Sequence, residues 1–116
     1  MKIIEKPWGT YEVILEDPSC IIKKIIVKPE QSLSYQYHGY RDEHWVCMQG
    51  SGVVIIDGNT QWLELGESID IYRGQRHRIT NESKDRNLVF IEIQTGDKLI
   101  EEDNIRLEDM YGREDK

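Results

Sequence analysis

The stretch of sequence that decides the fold spans residues 35–50 and reads YQYHGYRDEHWVCMQG, with His38 and Glu43 near its centre. A second stretch, residues 66–81, reads GESIDIYRGQRHRITN and contains His77. Imidazoles and carboxylates are common ligands of divalent metals, and a set of three protein ligands leaves coordination positions open for water or a substrate. If folding brings these three side chains together, they predict a metal centre that performs chemistry.

The first stretch has the spacing of the first motif of the cupins. That motif reads His-x-His, three or four residues, Glu, six residues, Gly. Here four residues separate His38 from Glu43, and six separate Glu43 from Gly50. Gln36 stands where the first His of the motif falls, so its amide oxygen becomes a candidate fourth metal ligand.

The second stretch matches the second cupin motif, which reads Gly, five residues, Pro-x-Gly, two residues, His, three residues, Asn. Gly66, Gly74, His77 and Asn81 are in register, and Tyr72 replaces the Pro. Fifteen residues separate the two motifs, which is room for two strands and a turn. The resemblance to the cupin superfamily implies an all-β fold, a double-stranded β-helix or jelly-roll barrel.

Strand parity tests the ligand set, because side chains alternate between sheet faces and the ligands of one metal must share the inner face. Gln36 and His38 are two residues apart and share a face, as do Glu43 and Trp45. His44 follows Glu43 directly and should point the other way in a regular strand. We therefore interpret His44 as structural or supporting, and not as a ligand.

The rest of the chain reads as short β-type runs separated by turn residues, which is typical of a small barrel or sandwich. We predict strands at residues 10–15, 21–28, 33–38, 43–49, 52–57, 60–65, 68–72, 77–80 and 88–94. Asp57, Gly58 and Asn59 lie between two apolar runs and predict a tight hairpin. Residues 1–116 are interpreted as a single cupin domain, with a barrel at about 10–95 and a C-terminal segment at 97–113. That acidic segment is expected to form a short helix or a clip over the barrel.

Composition limits the partners and the compartment. A net charge of −7 and a pI near 4.9 argue against nucleic acid or an anionic membrane as the main partner, although Arg73, Arg76 and Arg78 form a local basic rim. Cys20 and Cys47 lie in apolar runs without a Cys-x-x-Cys pair, so we expect reduced core thiols. No leader-like or membrane-spanning apolar run is evident, which predicts a cytoplasmic protein.

A homodimer is also expected. The run at residues 21–27 is strongly apolar. Small cupins with such strands commonly pair to cover an exposed sheet edge or face.

A closer resemblance covers essentially the whole chain. Its matching segments are residues 6–13 (KPWGTYEV), 33–36 (LSYQ), 43–45 (EHW), 103–109 (DNIRLED) and 111–113 (YGR). They resemble the cupin domain of type II mannose-6-phosphate isomerase. In that family the domain usually follows a GDP-mannose pyrophosphorylase domain, whose Gly-rich loop these residues lack, so we expect no nucleotidyl transfer from this chain alone. Gly39 and Tyr40 stand where relatives carry further histidines, and any role of those imidazoles is lost here.

The resemblance implies a metal-dependent interconversion of an aldose phosphate and a ketose phosphate, with mannose 6-phosphate and fructose 6-phosphate as the named pair. The ligands of the divalent ion, which could be zinc, manganese, nickel or iron, would be His38, Glu43 and His77, with Gln36 as the fourth candidate. The ion would bind the C1 and C2 oxygens of the sugar and stabilise an enediolate.

Two further roles follow from that reaction. A base must move a proton between adjacent carbons, and Glu43 and Asp42 both remain candidates. The phosphate would suit a guanidinium at the mouth of the barrel, with Arg73 as the first candidate and Arg41 as the second.

Other functions fit the same motifs. Two imidazoles and a carboxylate also serve non-haem iron, so an epimerase or an oxygenase remains open, as does a non-catalytic, metal-dependent sugar-binding or accessory domain. Iron in an apolar pocket would favour the oxygenase. Zinc, manganese or nickel below a guanidinium-lined mouth would favour the isomerase.

Overall fold

The computed structural model describes residues 2–109 and 111–113, without the side chain of Glu101. Within this part, short β-forming runs alternate with turns, and there is one 3-10 turn, Glu101–Asp103, and no α-helix. The strands are β1 (Ile3–Lys6), β2 (Gly9–Asp17), β3 (Cys20–Val27), β4 (Tyr35–Tyr37), β5 (Arg41–Gln49), β6 (Ser51–Ile56), β7 (Asn59–Glu64), β8 (Ser68–Ile71), β9 (His77–Thr80), β10 (Leu88–Gly96) and β11 (Ile105–Glu108). The all-β prediction is confirmed.

The strands form two facing sheets. One sheet has the order β1-β2-β3-β10-β5-β8, and the other has the order β11-β4-β9-β6-β7. In the first sheet β10 pairs antiparallel with both β3 and β5, although these strands lie far from it in sequence. From β3 onward, strands that are adjacent in sequence mostly belong to different sheets. The two sheets enclose an interior that is lined by residues from many strands.

Buried and more exposed residues alternate along β5, and the buried ones supply both apolar core residues and polar residues of the site. Arg41, Glu43, Trp45 and Cys47 are buried, and the residues between them are more exposed. At one end of the interior, Trp45 packs against Phe90 with ring centroids 5.0 Å apart. Burying an aromatic side chain of this kind contributes about 1.5–3 kcal/mol. The apolar half of the interior therefore forms a rigid support for the polar half.

Two turns are set by their residues. Asp57 and Gly58 have φ of 49° and 82°, and they join β6 to β7 in the tight hairpin that the sequence predicts. At the start of β2, a Cβ on Gly9 would collide with the carbonyl oxygen of Ile26. Only glycine allows β2 to approach β3 so closely at this point.

The structure differs from the sequence-based expectations at both ends of the chain. Residues 3–6 form an unpredicted strand, and the C-terminal segment forms a 3-10 turn followed by β11, which pairs with β4 at the edge of the second sheet. The homodimer expected from residues 21–27 stays a prediction; β3 lies between β2 and β10 and has no free edge, so it could contribute to a contact only through its outer face. Among the described residues, no helix is long and apolar enough to cross a membrane.

Candidate metal centre

Three different strand regions deliver the predicted ligands to one point. His38 directly follows β4, Glu43 belongs to β5 and His77 begins β9. All three side chains are buried, and their candidate ligand atoms lie within 4.8 Å of one another. The structure thus brings the predicted triad together at the polar end of the interior.

Backbone carbonyls orient both imidazoles. Nδ1 of His77 is 2.9 Å from the carbonyl oxygen of Gln75, and Nδ1 of His38 is 3.3 Å from that of Asp103. Because a carbonyl oxygen can only accept, each Nδ1 carries a hydrogen, which leaves each Nε2 as the atom that can bind a metal. The two Nε2 atoms lie 3.2 Å apart, and Nε2 of His38 also lies 3.0 Å from Oε2 of Glu43. The candidate ligand atoms of all three residues thus converge within hydrogen-bonding distance.

Glu43 is held as a carboxylate. Its Oε1 accepts a hydrogen bond from Nε1 of Trp45 at 2.9 Å, and its Oε2 accepts one from Nε of Arg41 at 2.8 Å. Burial alone would raise the pKa of Glu43, but the hydrogen bond and charge of His38, with the charge of Arg41, hold that pKa well below its ordinary value. Burial lowers the pKa of His77. The site therefore combines an ionised carboxylate with a neutral imidazole.

The donor set fits a divalent metal. Two converging imidazole lone pairs and one carboxylate oxygen, with each ring fixed by a carbonyl, are the ligand and support pattern of zinc and non-haem iron sites. Gln36 lies opposite His77 in the β4–β9 register and lines the same cavity. Its role as the fourth ligand stays a prediction.

Arg41 supplies a positive charge to the same atoms. Its side chain is buried, and its Nη2 lies 3.3 Å from Nε2 of His38 and donates to Oδ1 of Asn104 at 3.0 Å. The sequence offered Arg41 as a phosphate-binding candidate. Arg41 lies beside His38 and bonds Glu43. A metal bound by these two residues would have to share them with the guanidinium or displace it.

A second buried carboxyl group, Glu92 on β10, lies beside the triad. Nε2 of Gln94 donates to its Oε2 at 2.7 Å, and burial, the charge of Glu43 and a hydrogen bond to Glu43 raise the pKa of Glu92 to about 8. Glu92 therefore holds a proton near pH 7, while Glu43 does not. Sequence analysis missed this residue. Polar side chains at inner positions of an otherwise apolar strand were the signal that could have found it.

The C-terminal segment completes the site. The Asp103 carboxylate accepts hydrogen bonds from the backbone nitrogens of Gly39 at 2.7 Å and Tyr40 at 3.0 Å. These bonds fix the loop between His38 and Arg41, and the following residue, Asn104, bonds Arg41. Residues from this segment were not among the predicted site residues.

Two predicted site residues lie elsewhere. Asp42 follows Arg41 on β5 and points away from the interior, where its Oδ1 accepts a hydrogen bond from the backbone nitrogen of Arg73 at 2.8 Å. The Arg73 side chain is about half exposed, with its Nε 3.7 Å from the same oxygen. The structure therefore does not bring Asp42 or Arg73 to the triad. His44 also faces outward and pairs with Asp70 at 2.6 Å, as strand parity predicts.

A cavity opens above the triad. It measures about 580 Å³ when the open solvent at its mouth is included. Its lining includes the triad, Glu92 and five basic residues, Lys6, Lys23, Arg41, Arg106 and Arg113. Four of these basic residues were not predicted to belong to the site.

Comparison with known proteins places this site in a family. Residues 2–109 match the family model described as mannose-6-phosphate isomerase C-terminal. The chain belongs to this family. Its cupin fold, anticipated from the double motif, is supported by solved structures as well as by the family match.

The curated relatives of this family domain are much longer proteins. The chain is 41% identical over 110 residues to the mannose-1-phosphate guanylyltransferase of Escherichia coli strain K12. This alignment covers 95% of the chain and 23% of the relative. The chain is 39% identical to the alginate biosynthesis protein AlgA of Pseudomonas aeruginosa, with the same coverage. The chain thus spans about a quarter of the relatives it matches, and their activities as whole proteins do not transfer to it directly.

Solved structures support the fold of the family domain. CapF, a capsular polysaccharide assembling protein of Staphylococcus aureus, superposes with a TM-score of 0.77 at 20% identity, covering 93% of this chain and 34% of CapF. KdgF from Halomonas sp. gives a TM-score of 0.76 at 13% identity, covering 84% of this chain and 90% of KdgF. At these identities the likeness shows the cupin fold alone.

Proposed function

We propose that this domain is a metal-dependent aldose–ketose isomerase of sugar phosphates, acting on mannose 6-phosphate and fructose 6-phosphate. The observation that carries the proposal is the triad of His38, Glu43 and His77 at the base of a cavity rich in basic side chains. Family membership adds support through the description of the matching model. The basic lining favours an isomerase of phosphorylated sugars over an oxygenase, for which an apolar pocket is expected.

The residues of the chain divide the work of such a reaction. A bound divalent ion would polarise the oxygens of the substrate. Glu43, fixed by Trp45 and Arg41, holds its negative charge toward the two imidazoles. Conversion of the aldose to the ketose takes a proton from C2 and returns one to C1, so the base must be ionised, and Glu43 is the ionised carboxylate in the cavity. Glu92, which keeps a proton near neutral pH, can lend that proton to the carbonyl oxygen and recover it afterwards. We assign this acid role to Glu92 in preference to Asp42, because Glu92 lines the cavity.

One observation favours a second function, a sugar-binding accessory domain without catalysis. Arg41 already bonds Glu43 and lies against His38, so these ligands have partners in the absence of any metal. An accessory domain of this kind would bind a phosphorylated sugar and leave it unchanged.

A coupled assay separates the two functions. The protein is stripped of metal, reconstituted in turn with zinc, manganese, nickel and iron, and assayed for conversion of mannose 6-phosphate, glucose 6-phosphate and free mannose. We expect turnover of mannose 6-phosphate with at least one metal, none after chelation, and none in His77→Ala. Stoichiometric metal binding with no turnover of any hexose phosphate would overturn the isomerase and leave the accessory domain.

A further inference from the structure

We propose that the cavity contains an anion site formed by Lys6, Lys23, Arg106 and Arg113, and that this site takes the phosphate group of a phosphorylated sugar. The choice of sugar phosphate rests on the proposed function. The site is defined by its charge and geometry, and it lies apart from Arg73, the first phosphate-binding candidate from the sequence.

The charged residues that line the cavity are mostly basic, although the chain as a whole is acidic. The chain carries 22 acidic and 15 basic residues, yet among the residues that the structure describes, five basic residues and two acidic ones, Glu43 and Glu92, line the cavity. Like charges gathered in a cleft with apolar walls focus the field there and attract an ion of opposite sign.

One wall of the site comes from the first sheet. Lys23 is the register partner of Glu92, whose side chain lines the cavity, so Lys23 faces the interior. Its Nζ lies 4.3 Å from the centre of the Tyr11 ring, and Nζ of Lys6 lies 5.9 Å from the same centre. The ring face stabilises both ammonium groups but does not neutralise them. Both ammonium groups thus lie beside the Tyr11 ring on this wall of the cavity.

The opposite wall comes from the C-terminal segment. Arg106 on β11 is the register partner of Gln36, which lines the cavity, so Arg106 also faces inward. Nε of Arg113 bonds Oδ2 of Asp109 at 2.9 Å, and its Nη2 bonds Oδ1 at 3.1 Å. Asp109 is buried, so it fixes Arg113 in place. A guanidinium held in this way can offer its remaining donors to phosphate at little cost in side-chain entropy.

The two remaining arginine candidates are committed elsewhere. Arg41 bonds Glu43 and Asn104 deep in the interior. Arg73 lies on an exposed turn against Asp42. The substrate would accordingly bind with its phosphate between the two basic walls and its reacting carbons toward the triad.

Calorimetric titration of metal-free protein with inorganic phosphate and with mannose 6-phosphate tests the site. Removing the metal prevents phosphate from binding to it directly, and the same titrations in His77→Ala check this. We expect Lys23→Met and Arg106→Met each to weaken binding of both ligands at least tenfold. Lys6→Met should act in the same direction.

Two matched controls separate a built site from general attraction. Lys24→Met removes the neighbouring charge on the exposed outer face of β3, and Arg73→Met removes the exposed arginine. Both should leave phosphate affinity within twofold of wild type. Equal losses in the controls and the cavity variants, or no loss in the cavity variants, would overturn the site.

The test also separates this site from the proposed function. Weakened phosphate binding in the cavity variants, with no turnover of any hexose phosphate by wild type, would support the anion site and reject the isomerase. Turnover by wild type, with KM for mannose 6-phosphate unchanged in Lys23→Met and Arg106→Met, would reject the anion site and retain the isomerase. Denaturant midpoints identify variants that fail to fold. If Lys23→Met is one of them, Lys6→Met and Arg106→Met decide the result.

Discussion

Arg41 is the residue on which the chemistry of the site depends most. It is buried, and it bonds the Glu43 carboxylate at 2.8 Å while its Nη2 lies 3.3 Å from Nε2 of His38. The charge of Glu43 keeps the guanidinium ionised despite its burial, raising the pKa of Arg41. It therefore acts as a resident cation, which stabilises the ligand atoms when no metal neutralises them.

Replacing Arg41 by methionine should expose this role. A buried carboxylate that loses its cation destabilises a protein by about 3–5 kcal/mol, and a bound metal would restore the missing charge. We expect metal-free Arg41→Met to lose stability on that scale in urea unfolding, and added zinc to stabilise the variant more than it stabilises wild type. Arg73→Met, which removes an exposed pair, should cost about 0–1 kcal/mol. Equal stabilisation of wild type and Arg41→Met by zinc would show that Arg41 and the metal do not share these ligands.

Glu92 should give the metal-free protein a distinct pH dependence. It faces Glu43 and Arg41 from β5, Lys23 from β3 and its hydrogen-bond partner Gln94. Its pKa is 4.5 when unfolded and about 8 when folded, so the folded state binds more protons between these values. Stability should accordingly fall as pH rises, by about 1.4 kcal/mol per pH unit until the folded pKa is reached.

The window from pH 6.5 to 8 isolates this effect. The lowered pKa of His77 changes stability only below its ordinary value of 6.5. We expect wild type to lose about 1–2 kcal/mol across the window, and Glu92→Gln to show a much flatter profile. Glu12→Gln, on the outer face of β2, should keep the wild-type slope. If the free energy of unfolding of metal-free wild type, measured with chelator present, does not change across this pH window, Glu92 does not hold the proton assigned to it.

At the scale of secondary-structure elements, the C-terminal segment is part of the site and not an appendage. The carboxylate of Asp103 bonds the backbone nitrogens of Gly39 and Tyr40, and its carbonyl oxygen orients His38. The segment thereby fixes the loop that joins β4 to β5. A ligand imidazole on one sheet thus depends on a turn near the end of the chain.

Asp103→Ala should therefore weaken metal binding, although Asp103 is not a ligand. The variant leaves two backbone N–H groups without their acceptor, and the loop that carries His38 loses its support. Changes in such supporting residues typically lower metal affinity about 10–100-fold, and we expect a loss in that range in a zinc competition titration. Glu102→Ala, at the exposed neighbouring position, serves as the control. Wild-type zinc affinity in Asp103→Ala would separate the C-terminal segment from the metal site.

Sequence patterns predicted what depends on one strand or one turn. Parity within β5 places Glu43 inward and His44 outward, and residues 57–59 predict the hairpin, because these features follow from local geometry. The direction in which a loop faces is not set by such local rules. Arg73 was expected at the barrel mouth because it precedes Gly74, but it lies on an exposed turn against Asp42. Glu92 and Asp103 reach the triad only through the pairing of distant strands, which spacing along the chain does not encode.

At the scale of the whole molecule, the two-sheet barrel carries a cluster of apolar residues on the outer face of one sheet, bordered by Lys24 and His44. Ile22, Ile91, Ile93 and Val46 lie on neighbouring strands at outward-facing, half-buried positions. Ile93 pairs in register with Ile22, and Ile91 pairs with Val46. Apolar residues clustered on a sheet face often mark a contact between subunits.

We propose that this face, which includes Ile22 of the apolar run at residues 21–27, forms the homodimer contact expected from the sequence. Sedimentation equilibrium should give a dimer at micromolar concentration for wild type and a monomer for Ile93→Glu, because the glutamate would place a charge inside the apolar contact. Leu65→Glu, at an exposed position just after β7 of the other sheet, should remain dimeric. A wild-type monomer at these and higher concentrations would contradict the dimer.

We propose that His38, Glu43 and His77 together hold one divalent metal ion, which metal analysis after reconstitution and dialysis would detect. We expect about one ion per chain in wild type and in His44→Ala, as in a mononuclear site, because His44 is bound to Asp70 on the outer face. We expect almost no retained metal in His77→Ala, provided that the variant is folded by circular dichroism. Folded His77→Ala that retains as much metal as wild type would contradict the claim.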